Sequence, residues 1–272
     1  MRILLTGDDG YNSIGIRLLV HFLKKDHELL IAATKDQQSG VGGHLSVNSQ
    51  RSKDGSTWGE AVVDGIPALW VGGYPCDAME LCVGHFERPF DLVISGINLG
   101  ANVGNSVISS GTFAAAVRAL STRLAPRAIV MSWLTPSLFW AKKHSGDENI
   151  SSYIDYPGIA ARAFVAEAVK QKFWSSDLLN VNFPAEKTNK VRVTKLLQNM
   201  TEYYKYPLIK DMKNHQFSYP FEASDHTNLD TQYDTGALLA DLISVTPCKA
   251  TFFDQAGYER MSKKQFELKY HR

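Results

Sequence analysis

Cysteine is scarce in this chain: Cys76, Cys82 and Cys248 are an odd number with no CxxC spacing. That argues against a disulfide framework and against a zinc site built from paired thiolates, and it predicts a reducing, cytoplasmic setting. Net charge is almost absent, at +1. No global field therefore draws a nucleic-acid polymer or an acidic membrane, and an anionic ligand has to be held by a local site. Long apolar runs are missing too. The N-terminus offers only residues 3–5 where a signal peptide needs an apolar core, and no stretch approaches a membrane span, so a soluble, unprocessed chain is expected. There is no GxSxG elbow and no P-loop, and the first turn, "TGDDGYNSIG", lacks GxGxxG spacing. Serine hydrolase, NTPase and dehydrogenase chemistry are disfavoured accordingly.

What is present is an ordinary globular composition, 44% hydrophobic over 272 residues, enough for a sizeable core. Short apolar β-type runs alternate with amphipathic helical patterns through the first half, the order of βαβ units around a parallel sheet. Strands are predicted at 2–5, 28–33, 68–72, 91–95 and 128–133, and helices at 14–25, 77–86 and 112–122. The second half is less regular, with helices at 158–172 and 234–240 and strands at 178–182 and 242–245. Residues 191–227, rich in Tyr, Lys and His, read as a hairpin or loop excursion, and a charged helical tail spans roughly 258–269. Both are candidates for subunit contacts, and a solvated appendage explains them as well. The expectation is a single α/β domain over 1–272, doubly wound and mostly parallel, with ligands outside the carboxyl ends of the strands.

Asp8 and Asp9 stand side by side directly after the first apolar run. In a hydrated loop such a pair costs little; at the end of a buried strand each raises the other's pKa unless a cation neutralises them. Their hard oxygens, with Ser39 and Asn98 adding two more donors, suit Mg²⁺ or Mn²⁺ rather than zinc. In "SGINLGANVGNSVISSGTFAAAVRAL", Asn98, Gly100, Asn102 and Gly104 alternate directly after the strand expected to end at Ser95. Glycine allows close backbone approach and asparagine supplies neutral polar groups, although a bland Gly/Asn turn has the same composition. Ser110, Gly111 and Thr112 open an alanine-rich helix whose free N–H groups and positive dipole end make an anion site. Plain Ser/Thr capping is the alternative. His44, at the end of "QQSGVGGH", is a proton donor, a substrate contact or a passive loop residue. A hard divalent ion beside a helix N-terminus points to phosphate-ester hydrolysis.

These stretches resemble the SurE family, stationary-phase survival proteins that act as metal-dependent nucleoside monophosphate phosphatases. The resemblance spans most of the chain and rests on "ILLTGDDG", Ser39-Gly40, "SGINLGANVG" at 95–104 and "SGTFAAA" at 110–116, with fainter echoes in "LLNVNFP" and "SVTP". It implies a Rossmann-like core with a projecting hairpin. The implied activity is hydrolysis of nucleoside 5′-monophosphates, with 3′-monophosphates as a second class, by a metal-activated water. By the same resemblance the metal ligands fall on Asp8, Asp9, Ser39 and Asn98, with one Mg²⁺ or Mn²⁺ per subunit. Asn102, Ser110, Gly111 and Thr112 would hold the phosphate; Asp8, Asp9 and Asn102 form the catalytic group, with Asp8 as base. Homodimers or homotetramers built through exchanged C-terminal segments are also implied, which makes 248–272 the expected oligomerisation tail.

The chain departs from the family pattern at Gly7, where asparagine is usual, and at Asn105, Ser109 and Arg118, where an acidic residue, a tyrosine and a glutamate are common. Gly42 and His44 replace small hydroxyl residues. These changes leave the metal ligands intact and bear on substrate preference and turnover. A relative that binds metal and nucleotide without turnover is one alternative, supported by Gly7 and the loop after Ser39. A phosphatase with an aspartate nucleophile is another, but such enzymes place two aspartates two apart, and here they are adjacent.

Overall fold

The computed structural model describes residues 1–47, 56–86, 89–135, 143–203, 209–218, 230–251 and 253–262. The chain runs β1 (Arg2–Thr6), α1 (Ile14–Leu23), β2 (Glu28–Thr34), β3 (Trp58–Val63), β4 (Ile66–Val71), α2 (Pro75–His85) and β5 (Leu92–Leu99). A 3₁₀ segment at Gly104–Ser109 leads into α3 (Gly111–Ser121), then β6 (Ala128–Trp133), α4 (Ser151–Tyr153), α5 (Ile159–Lys170) and β7 (Leu178–Phe183). The remainder comprises β8 (Val191–Val193), β9 (Ile209–Asp211), β10 (Gln216–Ser218), α6 (Asp234–Leu239), β11 (Ile243–Cys248) and α7 (Gln255–Met261).

Nine strands form one sheet in the order β3-β4-β2-β1-β5-β6-β7-β11-β8, and β9 and β10 form a separate antiparallel ribbon. From β4 to β7 every pairing is parallel; β3 and β11 join antiparallel to β4 and β7. Both faces are covered, which is why the central strands read as continuous apolar runs. Alternation sorts their side chains: Ile3, Leu5, Ile31 and Ile94 pack with α1 and α5 on one face. Leu4, Ala32 and Val93 pack with α2 and α3 on the other. From β1 the chain steps outward to β2 and β4, then returns to β5 on the opposite side of β1 and steps outward again through β6 and β7. The winding reverses between β1 and β5, and a crevice opens there at the carboxyl ends of the two strands. Among the described residues no helix is long and apolar enough to cross a membrane.

Two local readings are corrected. The strand expected to end at Ser95 continues to Leu99, with a register shift between Ser95 and Asn98 on its β6 side. Gly96 allows this: its φ is +122°, and a Cβ there would lie 2.1 Å from the Met131 carbonyl oxygen. Asn98 is thus held in the sheet, opposite Ser132, rather than in a free turn. β3 was not anticipated, because this edge strand is half exposed and short of buried apolar residues. Its signal is the Asp64-Gly65 turn, both residues at positive φ (49° and 88°), which joins it to β4 as a hairpin. In the segment 191–227, the first residues form β8 beside β11 in the main sheet, β9 and β10 pair with each other, and 204–208 and 219–227 lie outside the described residues. Of the expected tail helix, α7 covers up to Met261, and 263–272 lie outside the described residues.

Candidate functional site

Asp8 and Asp9 follow β1 immediately and are almost fully buried, at 4% and 5% exposure. β5 brings Asn98 opposite them, and the crossover into α3 brings Thr112. These four residues line one narrow cleft, together with Gly7, Ser13, Ile16, Gly96 and Ile97. The Thr112 hydroxyl contacts Asp8 Oδ1 and lies 3.0 Å from Asn98 Oδ1. One proton serves two acceptor oxygens, so lone pairs are left over in the cleft. Asp9 Oδ2 accepts the Leu99 N–H at 2.9 Å, and Oδ1 accepts Gln37 Nε2 at 3.0 Å.

Burial pushes the Asp8 carboxyl upward, opposed by the Thr112 hydroxyl and by the backbone N–H groups of Thr112 and Gly111 at the start of α3. Burial, and then the Asp8 charge, pushes Asp9 up to about 7, against the Leu99 and Gln37 hydrogen bonds. No lysine or arginine among the described residues relieves either carboxylate. Nor do three His, Cys, Asp or Glu side chains gather as a potential metal cluster among the described residues. Further donors to a cation here would therefore be neutral oxygens such as Asn98 Oδ1. The donor chemistry fits a hard divalent ion: two carboxylates in want of positive charge, with hydroxyl and amide oxygens beside them.

The other expected residues are placed around this centre. Ser39 is exposed, one residue beyond Gln38, whose N–H donates to the Asp8 carbonyl at 2.7 Å and ties the loop after β2 to the site. Gly111 abuts Asp8, where a Cβ would lie 2.8 Å from Oδ2. Ser110 caps α3 by accepting the Phe113 N–H at 3.0 Å, which leaves its own proton free to donate. Asn102 is outside the cleft lining. Its Nδ2 donates to Ser132 Oγ at 2.9 Å, its N–H to Asn182 Oδ1 at 2.8 Å, and its carbonyl accepts Asn180 and Asn182 at 2.9 and 3.0 Å. His44 is exposed and lies against Tyr74.

Sequence reasoning missed Gln37, Ser132, and the roles of Asn180 and Asn182. The two asparagines stand two apart on β7 and both are fully buried. Polar residues alternating inside an apolar strand are the signal that finds such a cradle. Of the departures from the family pattern, Arg118 pairs with Glu80 across the outer faces of α3 and α2, away from the cleft. The Asn105 side chain donates to the Gln198 carbonyl at 3.1 Å and the Ser109 hydroxyl to the Ser106 carbonyl at 2.8 Å.

Fold and site together define a doubly wound α/β protein with a buried acidic cleft at its switch point. The family model described as "Survival protein SurE" matches residues 3–203, and the chain belongs to that family. The "5'-nucleotidase SurE" of Herpetosiphon aurantiacus is 33% identical, over 96% of this chain and 97% of that protein. The protein of the same name from Natranaerobius thermophilus is 29% identical, over 98% of this chain and 100% of its own. Among solved structures, the Sure protein from Aquifex aeolicus superposes with a TM-score of 0.73 at 23% identity, covering 97% of this chain and 99% of that one, which supports the fold.

Proposed function

We propose that the protein is a divalent-cation-dependent phosphomonoesterase that hydrolyses nucleoside 5′-monophosphates, with 3′-monophosphates as a second substrate class. The observation that carries this is the adjacent, buried and cation-hungry pair Asp8–Asp9, set against the N-terminus of α3. Relatives that cover nearly the whole chain bear the name 5′-nucleotidase, which supports the same reaction here. Asp8, Asp9, Asn98 and Ser39 would hold one Mg²⁺ or Mn²⁺, which when bound supplies Lewis acidity to the phosphoryl group and lowers the pKa of a water. The start of α3 would hold the phosphate through the Ser110 hydroxyl, whose proton is not used in capping, at a helix end whose dipole favours an anion. Asp8, oriented by the Thr112 hydroxyl, would be the base that accepts the proton of the attacking water. Asp9 stays oriented through Leu99 and Gln37. Asn102, fastened from β6 and β7, fixes the loop that leads to Ser110. As a subunit arrangement we propose a homodimer or homotetramer with contacts through 248–272, tested by light scattering of the full chain and of a form truncated after Cys248.

Phosphate release from a panel of nucleoside monophosphates, with Mn²⁺, Mg²⁺ or chelator, tests the proposal. Release that requires the cation and is lost in Asp8→Asn supports it. Saturable nucleotide binding without release overturns it in favour of a non-catalytic nucleotide-binding role.

A further inference from the structure

We propose that the rings of His44 and Tyr74 form a ledge beside the phosphate site that takes the planar base of the substrate, so that the protein selects nucleotides over phosphoesters that carry no planar base. This deepens the phosphomonoesterase reading and rests on it. The two ring centroids are 4.1 Å apart at 52°. His44 is exposed and Tyr74 half-buried, so the imidazole forms the open side of the pair, and neither ring belongs to the hydrophobic core.

The pair is held from both ends. One carboxylate, Asp77, accepts the Tyr74 N–H at 2.8 Å, the Ser46 N–H at 2.9 Å and the Ser46 hydroxyl at 2.8 Å, which locks the loop carrying His44 to the start of α2. At the other end Gly42 N–H donates to the Ser109 carbonyl at 2.9 Å, directly before Ser110. The bracket flanks the first turn of α3. A Cβ at Gly43 would lie 4.0 Å from the Ala114 Cβ, and one at Gly111 would lie 3.0 Å from Cγ of Pro75, the residue after Tyr74. Gly111 in turn touches Asp8. An exposed ring pair fixed in place, yet spared from the core, leaves a π-face available next to the phosphate. Every base has such a face, so the ledge confers preference for a ring without discriminating strongly among bases.

Adenosine, which has no phosphate to lose, reports the ring contact without turnover. Titrated calorimetrically into the full-length protein, it should bind His44→Phe like wild type and His44→Ala about tenfold more weakly, the size expected for one lost stacking partner. In kinetics, His44→Ala should raise KM for AMP by a similar factor at unchanged kcat and leave ribose 5-phosphate hydrolysis untouched. Equal adenosine affinity in all three proteins, no adenosine binding to wild type, or equal KM changes for AMP and ribose 5-phosphate overturns the ledge. Hydrolysis of neither phosphoester sinks the phosphatase reading instead, and the adenosine titration still decides the ledge.

Discussion

At the scale of single residues, the adjacent carboxylates govern behaviour. In the metal-free protein Asp9 keeps its proton up to about pH 7, while an unfolded aspartate loses it near 3.8. Between those values the folded state binds more protons, so this group's stabilising contribution, complete below about pH 4, is lost as pH rises through 7. The chelated protein should therefore melt at a higher temperature at pH 6 than at pH 8. Added Mn²⁺ should raise the midpoint at pH 8 and flatten that slope; a midpoint that rises from pH 6 to 8 in chelator would contradict the assignment. Asp9→Asn removes the same repulsion, and its new amide N–H is accommodated if Gln37 turns its own amide over to accept it. It should stabilise the metal-free protein in urea unfolding, while lowering phosphate release by about 10²-fold or more. A gain in stability with a loss of activity marks a site residue rather than a structural one. Gly7, where the family usually has asparagine, has room: a Cβ there would meet Gly96 only at ordinary contact distance, 3.6 Å. Gly7→Asn should fold with an unchanged melting profile, and the phosphate-release assay reads its effect on turnover.

At the scale of elements, the segment between β5 and α3 is pinned by polar groups borrowed from distant strands and helices. Asn182 on β7 holds both the N–H and the carbonyl of Asn102. Asp234, buried at the start of α6, accepts Gly104 N–H at 2.7 Å and Leu197 N–H at 3.2 Å. Burial raises the Asp234 carboxyl, and the Gly104, Leu197 and Thr235 N–H groups hold it down. Asp234→Asn turns one of its two acceptors into a donor facing an N–H, and should cost about 2 kcal/mol of unfolding free energy. Asn182→Ala should cost a similar amount, about 2 kcal/mol, and lower kcat, because the loop reaching Ser110 loses its anchor. By contrast, the Arg118–Glu80 pair bridges α3 and α2 with both side chains over a third exposed. Arg118→Glu should shift stability by about 1 kcal/mol or less and leave kcat unchanged; a large kcat effect would show that α3 transmits the charge to the site.

At the scale of the whole molecule, the sheet is covered on both faces only at its centre. Amide hydrogen exchange should be slowest in β1, β5 and β6, and fastest in β3, in β8 and in the exposed β9–β10 ribbon. Slow exchange in the ribbon of the isolated chain would mean that it is covered, as in an oligomer. The sequence was legible where burial is two-sided. β1, β2 and β6 are uninterrupted apolar runs, α1 and α3 carry their stripe and cap, and order alone implies the doubly wound class. The meeting of Asp8, Asp9 and Thr112 was legible as well, because each sits at the end of such an element, where strand direction already implies a shared edge; the place of Asn98 inside β5 was not. Gln37, Asn180, Asn182 and Asp234 were not, because their roles rest on hydrogen bonds across 28 to 130 residues of chain, and residue type carries no information about a partner that far away. The same division runs through the whole protein. Local pattern, set by propensity and periodicity, determined the elements and the acidic character of the site. Only the tertiary structure decided that both carboxylates are buried, that Asn102 faces the sheet, and that His44 meets Tyr74, since burial and contact depend on what the rest of the chain places around each residue.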